Sequence, residues 1–397
     1  MTYRRRRRIS SFSLALLWLM AGAGLRAQRA RLAATPPMGW NDWYRYGCRV
    51  SQAIVEQNAA ALVRSGMKAV GYRYVDIDDC WQGRRDARGR IHPNSRFPDM
   101  KALGADLHRL GLKFGIYSSP GPTTCAGYPG SYGHERQDAA TYARWGVDLL
   151  KYDWCSAGRV YRPDQMQAAY RKMHAALLAT GRPIVYSLCQ YGLEGVWRWG
   201  AAVGGNLWRT TDDVGAGKPA DAYLRMTLFG FEQSGLGRFA GPGHWNDPDI
   251  LQIGLGRLNP DEERTQMSLW SLQAAPLLAG NDLTRMSPAT LALLANPEVI
   301  AVDQDRLGLA GRRIAAEGPL EIWMKPLAGG RRALGLFNRS DSPLPITLRF
   351  RALGLPSRLR LRDLWRRQNL GVFHRRFTAQ VNRHGVVLLL ARAGTRP

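Results

Sequence analysis

The chain of 397 residues is poor in lysine: of its 56 basic residues 7 are lysine and 49 arginine, against 31 acidic residues. So lopsided a ratio reflects a GC-rich codon habit as much as selection for phosphate binding. The arginines run along the chain with one true cluster, at the N-terminus. The formal net charge of +25 is therefore not read as a nucleic-acid footprint. No apolar run reaches the roughly 18 residues that a membrane-spanning helix needs, which excludes a polytopic membrane protein. The five cysteines form no C-x-x-C pair and the seven histidines no H-x-x-x-H, so a metal site is not expected. No internal repeat is present, and no low-complexity tract beyond the N-terminal arginines. What remains is 45% hydrophobic and 22% charged, an ordinary globular composition that excludes wholesale disorder.

Residues 1–27 read as a signal peptide. Arg4 to Arg8 form a positive segment, Ile9 to Met20 a short apolar stretch, and small residues follow from Ala21 to Gly24. The paired arginines are a loose match to a twin-arginine route, and an uncleaved anchor is the alternative. Export, to periplasm or medium, places the chain where disulfides persist. With Cys48, Cys80, Cys125, Cys155 and Cys189, an odd count, at least one thiol stays free in a monomer.

From about Thr35 short apolar strands alternate with amphipathic helices. Strands are predicted at Met38–Asp42, Arg73–Asp79, Leu112–Ser118, Val147–Asp153, Pro183–Cys189, Gly205–Thr210, His244–Ile250 and Ala275–Leu283. Helices are predicted at Ile54–Ser65, Met100–Leu110, Glu135–Trp145 and Pro163–Thr180. Eight such units over residues 35–305 predict an α/β fold, a TIM (β/α)8 barrel. An open doubly wound sheet is the alternative; it usually carries a Gly-rich phosphate loop, and no G-x-G-x-x-G follows the first strand. Over residues 306–397 strand-like runs (Leu320–Pro326, Arg332–Asn338, Leu344–Phe350, Leu359–Trp365, Gly385–Ala391) lack intervening helical periods and predict a C-terminal antiparallel β-sandwich domain.

A TIM barrel places its active site at the carboxyl ends of its strands. Here several runs end in aspartate: Asp78 and Asp79, Asp153, Asp212 and Asp213, Asp247 and Asp249, and Asp282. Asp282, after Asn281, reads as a turn residue. The others converge on one mouth, a costly crowding of like charge unless function retains it. Lys151 and Asp153, two apart on a strand, share a face, and the lysine is expected to hold the aspartate ionised. Arg209 and Asp213 end or follow the next strand but one. Two carboxylates in different electrostatic surroundings suit acid/base and nucleophilic chemistry on a glycosidic bond. Trp40, Trp43, Trp81, Tyr117, Trp154, Tyr191 and Trp245 lie in the same loops, and aromatic faces stack on sugars.

At these residues the chain resembles glycoside hydrolase family 27, the α-galactosidase or melibiase family. The resemblance rests on TPPMGWNDW (Thr35–Trp43), IDDCW (Ile77–Trp81), GLKFGIYS (Gly111–Ser118), DLLKYDWC (Asp148–Cys155), LWRTTDD (Leu207–Asp213), HWNDPDIL (His244–Leu251) and NPEVIAVDQDRLG (Asn296–Gly308), in the family's order. It implies Asp153 as nucleophile and Asp213 as general acid/base. It implies sugar contacts from Trp43, Asp78, Asp79, Tyr117, Lys151, Cys155, Gln190, Arg209 and Asp249. It also implies disulfides Cys48–Cys80 and Cys125–Cys155, with Cys189 left free, and neither cofactor nor metal.

Two departures stand out. Asp212 occupies a position where the family usually has a small residue, and strand alternation is expected to turn it away from Asp213. SLCQYG (Ser187–Gly192) has Gln190 and Tyr191 where many α-galactosidases have Glu-Trp, in the loop that meets the sugar's 2-position.

The implied activity is that of a retaining exo-glycosidase releasing terminal α-D-galactosyl residues from a galactose-containing oligosaccharide, polysaccharide or glycoconjugate. Alternatives on the same scaffold are α-N-acetylgalactosaminidase, β-L-arabinopyranosidase and isomalto-dextranase. A non-catalytic secreted carbohydrate-binding protein and a cationic protein that binds acidic polymers are rivals of other classes. Neither a nucleic-acid nor a stable membrane partner is expected.

Overall fold

The computed structural model describes residues 32–394; the expected signal peptide lies outside them. Among the described residues no helix is long and apolar enough to cross a membrane.

Eight parallel strands form the first sheet: β1 (Met38–Asn41), β2 (Tyr74–Asp76), β3 (Lys113–Ser118), β4 (Leu149–Asp153), β5 (Val185–Cys189), β6 (Leu207–Arg209), β7 (Trp245–Asp247) and β8 (Leu277–Ala279). They lie in the order β8-β1-β2-β3-β4-β5-β6-β7. A parallel bridge from Leu251 to Ala279, with the Leu251 N–H donating to the Leu278 carbonyl at 2.8 Å, brings the two edges together. The sheet curls into a barrel, which rules out the open doubly wound alternative. Near-continuous apolar strands are what burial on both faces requires, and all four residues of β1 are buried.

Helices α1 (Gln52–Arg64), α2 (Met100–Arg109), α3 (Glu135–Trp145), α4 (Met166–Ala179), α5 (Ala222–Phe231), α6 (Pro260–Gln273), α7 (Pro288–Leu294) and α8 (Pro297–Asp303) accompany the strands. Local chemistry sets their starts. The Ser51 and Asp99 side chains accept the N–H groups of Ile54 and Ala102, and Asn259 forms a reciprocal cap with Glu262 before Pro260. One predicted feature is missing: no α-helix joins β5 to β6. Glycines at 192, 195 and 200 interrupt that stretch, which forms 3-10 turns at Leu193–Arg198 and Gly200–Val203.

Close packing at the barrel wall makes one glycine essential. A Cβ on Gly39 would lie 2.3 Å from the Tyr74 carbonyl oxygen on the neighbouring strand. Backbone cannot yield as a side-chain tip does, so Gly39→Ala is expected to cost at least about 2 kcal/mol, read as a lowered thermal unfolding midpoint.

The C-terminal part is antiparallel. A six-stranded sheet orders β9 (Arg312–Glu317), β10 (Leu320–Leu327), β11 (Arg331–Asn338), β16 (Val386–Ala393), β13 (Arg358–Asp363) and β14 (Gln368–His374). β12 (Leu344–Arg349) pairs with β15 (Arg376–Val381) as a second sheet. Ile346, Leu348, Leu359, Leu361 and Leu389 fill the space between the sheets. The sequence reading had five of these strands and lacked β9, β14 and β15. The predicted Leu359–Trp365 strand stops at Asp363, whose side chain accepts the N–H groups of Trp365 and Arg366 in a turn.

The sandwich packs on the barrel's helices through a shared apolar core. Phe231 of α5 meets Trp323 and Phe337 edge-on, at ring-centre distances of 6.2 and 5.2 Å, and these residues belong to the barrel's own apolar core. Arg362 bonds both carboxylate oxygens of Glu298 on α8 at 2.7 Å. Between the two parts lies Lys325, fully buried, whose Nζ donates to the carbonyls of Ser271 and Asp303 at 3.0 and 3.1 Å. Burial pushes its pKa down to about 8.

Candidate active site

The strand-end aspartates gather at the carboxyl ends of the barrel strands. Asp78 and Asp79 follow β2 after Ile77. The Asp78 Oδ2 accepts from Lys151 Nζ at 2.8 Å and Asn41 Nδ2 at 2.9 Å, and its own N–H donates to Asp42. Asp79 accepts the N–H groups of Cys80 and Ala126 at 2.7 and 2.8 Å. Both side chains are buried.

Asp153 ends β4. Its Oδ2 accepts the Tyr117 hydroxyl at 3.1 Å and its Oδ1 the Tyr191 hydroxyl at 2.6 Å. Burial raises its pKa, and Lys151 and the Tyr191 hydrogen bond only partly oppose this. This corrects the expectation that Lys151 holds Asp153 in a low-pKa state. The long lysine side chain reaches past its neighbour and pairs with Asp78 on β2, so desolvation dominates at Asp153.

Arg209, buried at the end of β6, bridges Asp213 at 3.0 Å and Asp249 at 3.1 Å through one nitrogen. Burial works to raise Asp213, but the Arg209 and Lys151 charges outweigh it and hold the carboxyl below its ordinary value. Asp249 is fully sequestered and is pushed up to about 6 by burial despite Arg209. It also accepts the Tyr44 hydroxyl and the Val214 N–H. Asp212 turns outward to Arg225, at 3.1 Å, as expected, though the two acids lie in the bend after β6 (Leu207–Arg209) and not on a strand. Asp282 caps a short turn through the Thr284 N–H.

The cysteines pair as Cys48–Cys80 and Cys125–Cys155, and Cys189 is free and buried. The second disulfide lies against the carboxylate. The Cys155 sulfur is 3.3 Å from the Tyr117 hydroxyl, and Tyr191 touches Cys125 and Cys155 at 3.5 and 3.7 Å. Each bridge spans about 30 residues of sequence and is worth about 3–4 kcal/mol by loop entropy. Replacing either pair by serine is expected to lower the unfolding midpoint. Only the Cys125/Cys155 double variant is expected also to lower kcat, a split that parallel melting and turnover measurements reveal.

Three of the ten non-glycine residues with left-handed backbone among the described residues belong to the site. Cys80, Tyr191 and Asp249 hold left-handed φ values of 79°, 62° and 97°, positions that the surrounding structure must over-determine. The Tyr191 turn is held by Gln190, whose Oε1 accepts the Gly192 N–H at 2.7 Å. The Gln190 Nε2, the Asp42 Oδ2 and the Arg209 Nε are buried without protein partners, a desolvation cost carried at the site.

The aromatic reading needs correction. Trp40, Trp81 and Trp245 are fully buried, and Trp154 stacks on Tyr161 and Tyr170. They pack the core rather than face a sugar. Trp43 is only partly buried, and Tyr117 and Tyr191 stand on Asp153. Sequence reasoning missed Asn41, Tyr44 and Arg225, which holds the Asp213 carbonyl at 2.6 Å. Asn41 and Tyr44 flank the end of β1, where a polar residue after an apolar run was the available signal.

A parallel barrel with paired carboxylates from separate strands, tuned by a lysine and an arginine, defines a glycoside hydrolase. The family model for alpha galactosidase A matches residues 35–305, and that for the alpha galactosidase C-terminal beta sandwich domain matches residues 317–391. The chain belongs to the α-galactosidase (melibiase) family. Alpha-galactosidase A of Cellvibrio japonicus is 45% identical over 322 residues, covering 79% of this chain and 78% of that protein. The alpha-N-acetylgalactosaminidase of Gallus gallus is 42% identical over 357 residues, covering 82% and 84%. The crystal structure of alpha-galactosidase I from Mortierella vinacea superposes with a TM-score of 0.86 at 35% identity, covering 92% of this chain and 98% of that one.

Proposed function

We propose that this glycoside hydrolase cleaves terminal α-D-galactosyl groups from galactose-containing oligosaccharides with net retention, Asp153 acting as nucleophile and Asp213 as general acid/base. The observation that carries this reading is the Asp153 carboxylate, buried at the end of β4 and held by one phenol on each oxygen. Such restraint presents a lone pair in a fixed direction, as attack on an anomeric carbon requires. Asp213, partly open to solvent beside Arg209, is placed to exchange protons with a leaving oxygen and then with water. Asp78, Asp79, Lys151, Arg209 and Asp249 supply a fixed set of donors and acceptors for sugar hydroxyls, with Trp43 as a stacking face. Export to periplasm or medium belongs to the same reading and is supported by the two disulfides.

The charge pattern sets the pH dependence. Asp153 must be ionised to attack, and its raised pKa means that acidification removes the nucleophile earlier than for a free aspartate. Asp213 must carry a proton to donate it, and its lowered pKa means that the proton is lost as pH rises. The active microstate is therefore the less populated of the two singly protonated forms. We expect kcat/KM to be highest on the acid side of neutral and to fall by pH 7, with only a minority of the enzyme in the active microstate at any pH; a flat profile from pH 5 to 8 contradicts the assignment.

The test of the function is turnover of p-nitrophenyl α-D-galactoside against the α-N-acetylgalactosaminide and the β-L-arabinopyranoside, with the product anomer followed by NMR. Preferred cleavage of the galactoside with α-galactose formed first is expected. The β anomer as first product overturns the mechanism, and preference for another glycone overturns the specificity.

A further inference from the structure

The positive charge is not spread evenly. Residues 32–311 carry 30 basic and 27 acidic side chains, a net of +3, while residues 312–397 carry 18 and 4, a net of +14. A codon habit alone loads both parts alike; here the barrel is balanced and the sandwich is not.

Between residues 344 and 393 there are eleven arginines and one acid, Asp363. Four of the eleven have carboxylate partners: Arg362 and Arg367 on Glu298, Arg366 on Asp363, and Arg383 on Asp341. Among the described residues the other seven have no ion pair. Two pairs of these face each other across strands, Arg349 opposite Arg376 and Arg360 opposite Arg392. Like charges directly opposite destabilise a sheet. Where β12 ends and β15 begins, Arg349, Arg351, Arg375 and Arg376 line one open cleft and all four are exposed.

We propose that this arginine cleft docks an acidic, carboxylate-bearing polysaccharide, holding the enzyme on a polymer whose side branches reach the barrel. The guanidinium fork matches carboxylate oxygens two at a time, and an anion relieves the cross-strand repulsion. A bilayer or a single-stranded nucleic acid asks for exposed apolar or aromatic side chains beside the charges, to insert or to stack. The large exposed hydrophobic side chains of the described residues all precede residue 310, so the sandwich offers none. The role of the polymer rests on the glycosidase reading; the cleft's affinity for it does not.

The experiment measures retention of the full chain on immobilised polygalacturonate over a salt gradient, with uncharged galactan as the blank. The R349Q/R351Q/R375Q/R376Q variant is compared with R64Q/R136Q/R171Q/R306Q, which removes the same charge from exposed barrel positions. We expect the cleft variant to bind at least about tenfold more weakly near 0.1 M salt and the barrel variant to stay close to the parent. The cleft variant should melt no lower than the parent, since it loses the Arg349–Arg376 repulsion, the barrel variant should melt close to the parent, and both should keep its turnover of a small galactoside. Equal weakening in both variants means that retention follows net charge alone and overturns the proposal. Equally tight binding of the parent to anionic phospholipid vesicles or to DNA at the same salt overturns the choice of partner. Absence of galactoside turnover in the parent sinks the functional reading and leaves the binding comparison intact.

Discussion

Asp153→Asn is expected to lower kcat by about 10⁴-fold, a loss of ~5 kcal/mol in transition-state stabilisation at ~1.36 kcal/mol per decade. The substitution keeps the shape of the side chain. Its oxygen still accepts one phenol, and its amide nitrogen can donate to the other, so Tyr117 and Tyr191 retain their positions beside it. What is lost is the anion, and with it the covalent intermediate. The unfolding midpoint should hold or rise, because a buried carboxylate raised by desolvation is replaced by a neutral amide. Galactose affinity should change by only a few fold. A variant retaining a tenth or more of the parent's turnover removes Asp153 from the nucleophile's role.

Asp213→Ala should discriminate between leaving groups. An oligosaccharide must depart as an alcohol and needs the proton, so turnover should fall by about 10²–10⁴-fold. p-Nitrophenolate departs unaided, so its first release should stay fast and then stall, because no base activates the water that frees the enzyme. A burst of p-nitrophenol followed by a slow steady state is the expected trace, with azide restoring turnover by replacing that water. Equal losses on both substrates, without a burst, assign proton transfer to another group; Asp249, raised to about 6 beside the same arginine, is then the next candidate. Arg209 ties the two acids together, so this variant should also release Asp249 to pair with it alone.

The frame of the site was legible because it is written locally. An apolar run that stops at an acid marks a strand and the residue beyond it, which locates Asp78, Asp153 and Asp249 without knowledge of the fold. Partner choice was not legible. Strand alternation places Lys151 on the face of Asp153, yet a four-carbon stem lets its amine reach Asp78 on another strand. Tryptophans beside acids were ambiguous for a related reason: Trp81 and Trp245 neighbour polar strand ends in sequence while their rings turn into the core. In the sandwich, β14 and β15 follow an arginine-rich stretch and are mostly exposed. Their apolar alternation is therefore weak, and the runs read as turns.

Lys325 has a consequence for how the molecule can be taken apart. Its amine is satisfied by carbonyls at the C-terminal ends of α6 and α8, while its own strand belongs to the sandwich. Parting the two halves strips the amine of both acceptors and exposes Trp323 and Phe337, which Phe231 covers. The barrel therefore has no finished outer wall of its own on that side. A gene truncated near residue 311 is expected to give an aggregation-prone fragment rather than a smaller enzyme, and an exchange of sandwiches between relatives is expected to need α5, α6 and α8 to travel with them.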